Sequence, residues 1–242
     1  MCGRFTLGQG PAQLGEAFRE FVFPPGLELA PRFNVAPSHA LLVVPNDGAR
    51  TARLMTWGFV PGWANDPKGL QVNARAETAA TLPTFREAFR RRRCVVLADG
   101  FYEWAPAPEG SKAKVPWYFR VADGRPFAIA GLYEAWRGPD GVEREGVALL
   151  TVDANELVRP VHHRMPALLP RAAFDAWLAP GDADPATLSP WLRPAPAGTM
   201  RAWPVSRAVN APKNDGPELV APATSAVPDA PSAPDAPTKP AA

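Results

Sequence analysis

Apolar residues recur along this chain in short runs that are typical of β-strands. The runs are rich in Val, Leu, Phe and Trp, and glycine, proline or polar residues separate them. The pattern predicts six strands, at residues 40–44, 52–60, 94–104, 117–121, 127–136 and 147–152. Because these strands follow one another in runs rather than alternating regularly with helices, they favour a largely antiparallel, barrel-like sheet.

Helical periodicity is confined to four segments, at residues 13–21, 74–80, 85–92 and 171–178. The third carries a capping-box signature, in which Thr84 is followed at the third position by Glu87. The fourth follows Pro170, which suits a first helical turn. We therefore predict an α+β fold, with a barrel-like β-sheet core and peripheral helices.

Composition indicates one domain and a tail. The chain has 242 residues, of which 46% are hydrophobic, and this is enough for one substantial core. The last residues are rich in Pro and Ala and lack the apolar content that offsets the entropy of ordering. We expect a single domain over residues 1–217 and a disordered tail over residues 218–242.

Several classes of protein are disfavoured. No apolar run approaches the roughly 20 residues of a membrane span, and the N-terminus lacks the apolar stretch of a secretory signal. Cys2 and Cys94 provide neither a disulfide framework nor zinc-ligand spacing, which fits a reducing cytoplasm. Cys94 lies in an apolar run and is expected in the core. A net charge of +2 is low for extensive duplex binding, although arginines suit the phosphates of a short segment.

Cys2 directly follows Met1, and methionine before a small residue is normally removed. The mature N-terminal residue then carries both an α-amine and a thiol. This 1,2-aminothiol condenses with an aldehyde, first as a Schiff base and then as a five-membered thiazolidine. An internal cysteine cannot do this, although ordinary nucleophilic catalysis is also open to Cys2.

Two further segments have the character of a ligand-binding surface. Trp57 and Trp63 flank glycine and proline turns, where an aromatic ring can stack on an unpaired base. We expect one of the two tryptophans in the core and the other exposed. Asn73 suits a helix N-cap, and Arg75 falls in the first helical turn, where the dipole disfavours a cation. Arg75 therefore hints at an anionic partner such as a phosphate.

Two other segments carry candidate acid–base groups. Glu103 lies between aromatic residues at the end of an apolar strand, where desolvation raises the pKa of a carboxyl group. An exposed carboxylate at the strand end is the alternative. His162 and His163 are adjacent, so only one of them can face a site from a strand. Further ligands at metal-binding spacing are not visible, and we predict neither a metal nor another cofactor.

Five motifs occur in a fixed order: Met-Cys-Gly-Arg-Phe, Trp-Gly-Phe-Val-Pro-Gly-Trp, Asn-Ala-Arg-Ala-Glu, Asp-Gly-Phe-Tyr-Glu-Trp and His-His-Arg-Met-Pro. With them the chain resembles the SRAP (SOS-response-associated peptidase) family, whose members shield abasic sites in single-stranded DNA. The resemblance runs from Cys2 to about Pro217 and ends with Val209-Asn210 and Asp215-Gly216-Pro217.

The resemblance implies roles for individual residues. Cys2 matches the family's crosslinking residue, Asn73 its active-site asparagine and Glu103 its catalytic glutamate. The family's histidine corresponds to His162, not His163. The DNA-binding residues that the resemblance implies are Arg4, Arg75 and Arg164 on phosphates, and Asn34, Pro37 and Trp57 or Trp63 along the groove.

The resemblance also implies an activity. The protein is expected to sense abasic sites in single-stranded DNA and to crosslink to them through Cys2 in the DNA damage response. We also expect some lyase activity and a peptidase-like step that exposes Cys2. We expect a cytoplasmic monomer that associates with the nucleoid when it acts on DNA. The alternatives are an N-terminal-nucleophile cysteine peptidase or amidohydrolase, with Asn73 as oxyanion donor, and a non-catalytic single-strand binder.

Overall fold

The computed structural model describes residues 2–64, 70–107, 109 and 113–223. The strands are β1 Phe5–Leu7, β2 Arg32–Val35, β3 Ala40–Pro45, β4 Arg53–Trp57, β5 Asn73–Arg75, β6 Arg93–Ala98, β7 Gly100–Ala105, β8 Val115–Val121, β9 Phe127–Arg137, β10 Glu143–Asp153, β11 Arg164–Pro166, β12 Leu168–Leu169 and β13 Met200–Pro204. The α-helices are α1 Pro11–Ala17, α2 Ala76–Ala79, α3 Arg86–Arg91, α4 Phe174–Trp177 and α5 Pro185–Leu188. Short 3-10 helices cover Arg171–Ala173, Ser189–Trp191, Ala197–Thr199, Arg207–Asn210 and Pro217–Val220.

Five strands close into a barrel. The antiparallel pairs run from β4 to β3, β6, β9 and β10, and β10 returns to β4 in parallel. β5 and β11 extend the barrel wall beside β10, and β12 extends it beside β9. The pairings are antiparallel except where β10 meets β4 and β5. The predicted α+β fold with a largely antiparallel, barrel-like core is confirmed.

A second, antiparallel sheet lies beside the barrel, with the strand order β13-β8-β7-β1-β2. The main core fills the barrel and continues to the helices and to second-sheet residues such as Phe5, Phe101 and Phe119. Every residue of β6 is buried, which is typical of a strand covered on both faces. Trp177 of α4 covers β6 and donates its indole N–H to the Cys94 carbonyl at 2.8 Å. Cys94 is a fully buried core residue, as predicted.

The long apolar segment at residues 94–104 is not the single strand that its pattern predicts. It forms β6 in the barrel and β7 in the second sheet, and the chain changes sheet at Asp99. The Asp99 N–H donates to the Thr6 carbonyl at 2.9 Å, and its carboxylate accepts the Gly8 N–H at 2.6 Å. These bonds turn the chain toward β1, so Glu103 lies on the second sheet rather than in the barrel.

All four helices differ from their predicted bounds, and the segment at residues 171–178 is a 3-10 helix, Arg171–Ala173, followed by the α-helix Phe174–Trp177. The segment at residues 74–80 begins as strand β5, since Asn73–Arg75 pairs with β10, and only Ala76–Ala79 is helical. Asn73 is therefore not a helix N-cap. The helix predicted at residues 85–92 has Phe85 at its N-cap and no side-chain cap, so the Thr84 capping box is absent there. The first helix begins at Pro11 and ends at Ala17.

The packed domain extends past the predicted boundary at Pro217. Leu219 is fully buried, and the Trp203 indole N–H donates to the Val220 carbonyl at 2.8 Å. The Ala223 N–H donates to the Pro204 carbonyl at 2.9 Å. Residues 218–223 thus belong to the fold, and the rest of the predicted tail, 224–242, lies outside the described residues. Among the helices that the structure describes, none has the length and apolar content to cross a membrane.

Candidate active site

The four predicted catalytic residues meet where the second sheet abuts the barrel. Cys2 lies just before β1, whose Phe5 pairs with Phe101 of β7, and this pairing brings Cys2 alongside Glu103. Asn73 begins β5, and His162 lies two residues before the start of β11 at Arg164. β5 and β11 both pair with β10, so one barrel strand presents the amide and the imidazole to the second sheet.

Two contacts define the geometry of this cluster. The Asn73 side-chain amide donates to the carbonyl oxygen of Cys2 at 2.8 Å and so fixes the backbone of that residue. His162 Nδ1 lies 3.8 Å from Glu103 Oε1. Cys2 and Glu103 are only 2% and 3% exposed. Met1, which is expected to be removed, lies outside the described residues.

Burial sets the protonation of the thiol and the carboxyl group. Desolvation raises the pKa of the Cys2 thiol well above its usual value, and the neighbouring Glu103 raises it further. Desolvation also raises the pKa of Glu103. Both shifts have the sign expected for acids that lose hydration of their charged form. At neutral pH the thiol is protonated, and Glu103 binds a proton more tightly than an exposed carboxylate does.

Two buried oxygen atoms at the site are left without a donor. Asn73 Oδ1 and Glu103 Oε1 accept no hydrogen bond from the part of the chain that the structure describes. Buried polar atoms are nearly always paired in folded proteins, and an unpaired one needs an explanation. Both atoms lie beside Cys2, so a ligand or an amine bound there can supply the missing donors.

The His162 ring is held by the backbone of Arg164. Its Nδ1 lies 3.1 Å from the Arg164 backbone nitrogen and 3.2 Å from the Arg164 carbonyl oxygen, so either tautomer of the ring finds a backbone partner. Burial lowers the pKa of His162. The imidazole is therefore neutral at physiological pH and is able to give or take a proton during a reaction.

The Arg164 side chain is not available to a DNA phosphate, contrary to what the family resemblance implies. Only 6% of the residue is exposed, and its guanidinium donates to Glu77 at 2.8 and 2.9 Å and to Asp153 at 2.6 Å. It also donates to the Thr151 carbonyl at 2.6 Å. Two carboxylates already neutralise its charge. Arg164 instead ties β11 to α2 and β10, and its backbone holds His162.

Two other predicted groove residues are buried. Asn34 is 0% exposed, and its amide donates to the carbonyls of Val209, Ala211 and Asn214. Trp57 is also 0% exposed, with its indole N–H on the Val72 carbonyl at 2.8 Å. Neither side chain is exposed for contact with DNA in this structure. Trp57 is the core member of the tryptophan pair, as the prediction of one buried and one exposed ring requires.

Four predicted DNA-binding residues keep accessible surface: Arg4, Pro37, Trp63 and Arg75. Arg4 is partly buried, and it donates to Asn34 Oδ1 and to the Val209 carbonyl, both at 2.7 Å. All its bonds go to neutral oxygens, and within the described chain neither Arg4 nor Arg75 forms an ion pair. Their positive charges are therefore available to an anion. Arg75 is the last residue of β5 rather than part of a helical turn.

Trp63 lies on a rigid turn and is 69% exposed. The turn closes through the Ala64 N–H on the Pro61 carbonyl at 2.9 Å. Glu134 accepts the N–H of the preceding Gly62, and the Trp136 indole donates to the Ala64 carbonyl at 2.6 Å. The backbone is thus fixed on both sides of an indole that faces solvent. An exposed tryptophan on a hydrogen-bonded turn is well suited to stacking on an unpaired base.

Two residues without an assigned role also belong to the site. Trp104 follows Glu103 on β7 and is only partly buried, and its ring lies 6.0 Å from the Arg4 guanidinium. Its indole N–H donates to Asn210 Oδ1 at 2.7 Å. Alternation along a strand could have indicated Trp104, because the neighbour of a buried carboxyl group faces the other side. Asn210 falls in the C-terminal part of the resemblance and has no local signal.

Metal-binding side chains do not cluster in the described ranges. No group of three His, Cys, Asp or Glu side chains there is arranged to hold an ion. Cys2 and Cys94 are both free and buried. The groups that meet at the candidate site are one thiol, one carboxyl group, one imidazole and one amide.

Solved structures support the fold. A crystal structure of a protein from Bacteroides thetaiotaomicron superposes with a TM-score of 0.79 at 25% identity, covering 92% of this chain and 100% of that one. A protein from Bordetella bronchiseptica gives a TM-score of 0.71 at 27% identity, covering 85% and 100%. The two-sheet arrangement is therefore shared with experimentally determined proteins.

Curated relatives cover nearly the whole chain. The abasic site processing protein YoqW of Bacillus subtilis is 41% identical over 91% of this chain and 99% of its own length. YedK of Escherichia coli, also an abasic site processing protein, is 34% identical over 92% of this chain and 100% of its own length. HMCES of Gallus gallus, also an abasic site processing protein, is 31% identical over 94% of this chain and 80% of its own length. The family model for SOS response associated peptidase (SRAP) matches residues 1–212. The chain therefore belongs to the SRAP family.

Proposed function

We propose that this protein processes abasic sites by forming a covalent link between Cys2 and an abasic site in single-stranded DNA. The observation that carries the proposal is the meeting of Cys2, Asn73, Glu103 and His162, from four separate segments, around two unpaired buried oxygens. The descriptions of the relatives as abasic site processing proteins support the substrate. One chain supplies all four residues, so a monomer suffices.

The proposed reaction joins the aminothiol to the open-chain aldehyde of the abasic sugar. Removal of Met1, by an aminopeptidase or by self-processing, frees the Cys2 α-amine. The amine attacks the aldehyde carbon, and the resulting carbinolamine loses water to give an imine. The sulfur then adds to the imine carbon while the thiol proton passes to the imine nitrogen. One C–N bond and one C–S bond form, and one water molecule leaves.

Glu103 acts as the proton carrier in both steps. The α-amine, with an ordinary pKa of about 7.7–8.0, is mostly protonated at neutral pH and must lose a proton before it attacks. The raised pKa of Glu103 makes it a better base than an exposed carboxylate. The Cys2 thiol stays protonated because its pKa is raised. Glu103 can accept the thiol proton and return one to the nitrogen as the ring closes.

His162 exchanges protons with the sugar, and Asn73 orients the nucleophile. The neutral imidazole of His162 exchanges protons with the sugar oxygen during ring opening and with the carbinolamine oxygen as water leaves. Asn73 holds the Cys2 carbonyl, and its unpaired Oδ1 accepts a hydrogen bond from the Cys2 amine or a sugar hydroxyl. Together they keep the amine and the aldehyde in one reactive geometry.

Single-stranded DNA is bound by charge and stacking around this cluster. Arg4 and Arg75 carry unpaired positive charges for backbone phosphates. Trp63 offers an exposed ring for a base, with Pro37 as a further exposed apolar contact. An unpaired strand suits this surface, because its bases are free to stack.

Thiol protonation favours this reaction over the alternative cysteine peptidase or amidohydrolase. A cysteine peptidase needs a thiolate, which a nearby cation or a helix N-terminus usually stabilises. Here burial and the neighbouring Glu103 raise the pKa of the thiol. Imine capture does not require a preformed thiolate. Some lyase activity follows if the imine eliminates the 3′ phosphate before the sulfur closes the ring.

Incubation with an abasic single-stranded oligonucleotide, followed by a denaturing gel, tests the proposal. The parent protein is expected to give a heat-stable adduct, and Cys2→Ala none. Cys94→Ala is the matched control, because Cys94 is the other free thiol and lies in the barrel core. An equal adduct from Cys2→Ala would assign the reaction to another nucleophile. A parent protein that binds the oligonucleotide without forming an adduct would favour the non-catalytic binder.

A further inference from the structure

The segment at residues 209–215, called here the C-terminal strap, packs against the N-terminal residues of the site. It begins within the 3-10 helix Arg207–Asn210, which Ser206 caps by accepting the Ala208 N–H at 3.2 Å. The strap contains Val209-Asn210 and Asp215, which fall in the C-terminal part of the family resemblance. The family resemblance implies no catalytic or DNA-binding role for them.

The strap holds strand β2 through hydrogen bonds that involve Asn34 and Asp215. The Asn34 amide donates to three strap carbonyls, at 2.8, 3.1 and 3.2 Å. The Asp215 carboxylate accepts the N–H groups of Phe33 and Asn34 at 2.5 and 2.8 Å and pairs with Arg32. Because Asn34 Oδ1 also accepts a hydrogen bond from Arg4, strap and arginine form one connected network.

Asn210 contacts both Arg4 and Trp104. Its side-chain oxygen accepts the Trp104 indole N–H at 2.7 Å, and its backbone carbonyl accepts Arg4 Nη2 at 3.4 Å. The Arg4 guanidinium lies 6.0 Å from the Trp104 ring, within the range of a cation–π contact. Without the Asn210 side chain, the indole would rotate more freely, and the arrangement of ring and cation would loosen.

We propose that Asn210 is a positioning residue that holds Trp104 against Arg4, so that ring and cation together bind the nucleotide next to the reacting sugar. This inference rests on the proposed function of the site. The base of that nucleotide stacks on the indole, and its phosphate meets the guanidinium. Asn210 therefore sets affinity for single-stranded DNA and takes no part in the covalent steps at Cys2.

Fluorescence anisotropy with a labelled single-stranded oligonucleotide lacking an abasic site tests the proposal in the full-length protein. Loss of one positioning hydrogen bond is worth about three- to tenfold in affinity, so Asn210→Ala should raise Kd by that factor. Trp104→Phe keeps a ring but removes the N–H donor, and it should weaken binding as well. The double variant should bind no more weakly than the weaker single variant, since both changes break the same bond.

Ser206→Ala is the matched control, because it removes a side-chain hydrogen bond from the same 3-10 helix without touching Arg4 or Trp104. It should leave Kd unchanged. With saturating abasic oligonucleotide, Asn210→Ala should crosslink within about twofold of the parent rate, since binding then no longer limits the reaction.

Three results would overturn the assignment: an unchanged Kd for Asn210→Ala, an equal loss for Ser206→Ala, or effects that multiply in the double variant. A slower reaction of Asn210→Ala at saturation would also overturn it. The failure of the proposed function looks different. In that case the parent binds the undamaged oligonucleotide but forms no adduct with the abasic one.

Discussion

Glu103 Oε1 lies 3.8 Å from Nδ1 of His162, and the two groups form no tight ion pair. Burial lowers the pKa of His162, so the imidazole is neutral at physiological pH and does not offset the carboxylate charge. Burial also raises the pKa of Glu103. The pair thus combines a carboxylate of increased basicity with a neutral imidazole, beside the residue that we propose as nucleophile.

Glu103→Gln is expected to slow crosslinking at neutral pH by about 10²–10⁴-fold, the usual value of one positioned proton-transfer group. The rate should recover partly above pH ~8, where the α-amine is already free. In the parent, lower pH protonates Glu103, and its raised pKa places this loss of rate above the ordinary carboxyl range. Pre-steady-state crosslinking rates across pH measure both effects.

His162→Ala separates the two acid–base roles. Ring opening and loss of water need a positioned group at any pH, so this variant should be slow without recovery at alkaline pH. Rates within about tenfold of the parent for both Glu103→Gln and His162→Ala would remove the two residues from the reaction.

The same Glu103→Gln change should stabilise the fold. A group whose folded-state pKa is raised contributes full stability only below its unfolded pKa and loses it as pH rises through the folded value. The charged form of Glu103 therefore destabilises the folded state at pH 8, and a neutral glutamine removes this destabilisation. We expect Glu103→Gln to have a higher Tm than the parent at pH 8 and a diminishing advantage toward pH 4. A lower Tm at pH 8 would contradict the buried, destabilised carboxylate.

Arg75 and Arg164 should differ in their effects on DNA binding. With Arg4 and Arg75 as phosphate contacts, the slope of log K against log salt is about −1.4, from roughly −0.7 per phosphate. Arg75→Ala should make the slope shallower by about 0.7. Arg164→Ala should leave the slope unchanged. It should lower the free energy of unfolding by about 1.5–3 kcal/mol, since it breaks charged hydrogen bonds to Glu77 and Asp153.

Salt titrations of single-strand affinity and urea denaturation of the two variants measure these effects. A shallower slope for Arg164→Ala would show that this side chain contacts a DNA phosphate. An unchanged slope for Arg75→Ala would exclude Arg75 from contact with the backbone.

Trp63 and Trp57 provide a second contrast, between a stacking ring and a core ring. Trp63→Ala should weaken single-strand binding by about 1–3 kcal/mol, the value of one base stack, with little change in Tm. Trp57→Phe should lower Tm, because it removes buried volume and the hydrogen bond to Val72. Anisotropy and thermal unfolding of both variants make the comparison. Equal losses of affinity would contradict the assignment of Trp63 as the exposed stacking residue.

Local sequence patterns predicted much of the fold and several residues of the site. Apolar runs located most of the barrel strands, and aromatic neighbours at a strand end indicated that Glu103 is desolvated. Glycine and proline around Trp63 indicated a turn, and this ring is the exposed one. In each case the determining physics lies within a few residues of the chain.

The differences arise from partners that are distant in sequence. Arg164 bonds to Glu77, 87 residues away, and this pairing turns a candidate phosphate ligand into a structural cation. Asn34 finds its acceptors 175–180 residues away in the strap. Asn73 lies in a strand because Leu149 of β10 pairs with it in parallel. Such pairings leave no periodic signal in a single sequence.

Mass analysis of the crosslinked peptide tests the central claim most directly. The adduct with abasic single-stranded DNA would be digested with nuclease and protease, and its N-terminal peptide fragmented. We expect a peptide that begins at Cys2, lacks Met1 and carries the abasic sugar with loss of one water, and whose fragments confine the sugar to Cys2. A sugar on any other residue, or an adduct that retains Met1, would contradict the thiazolidine at Cys2.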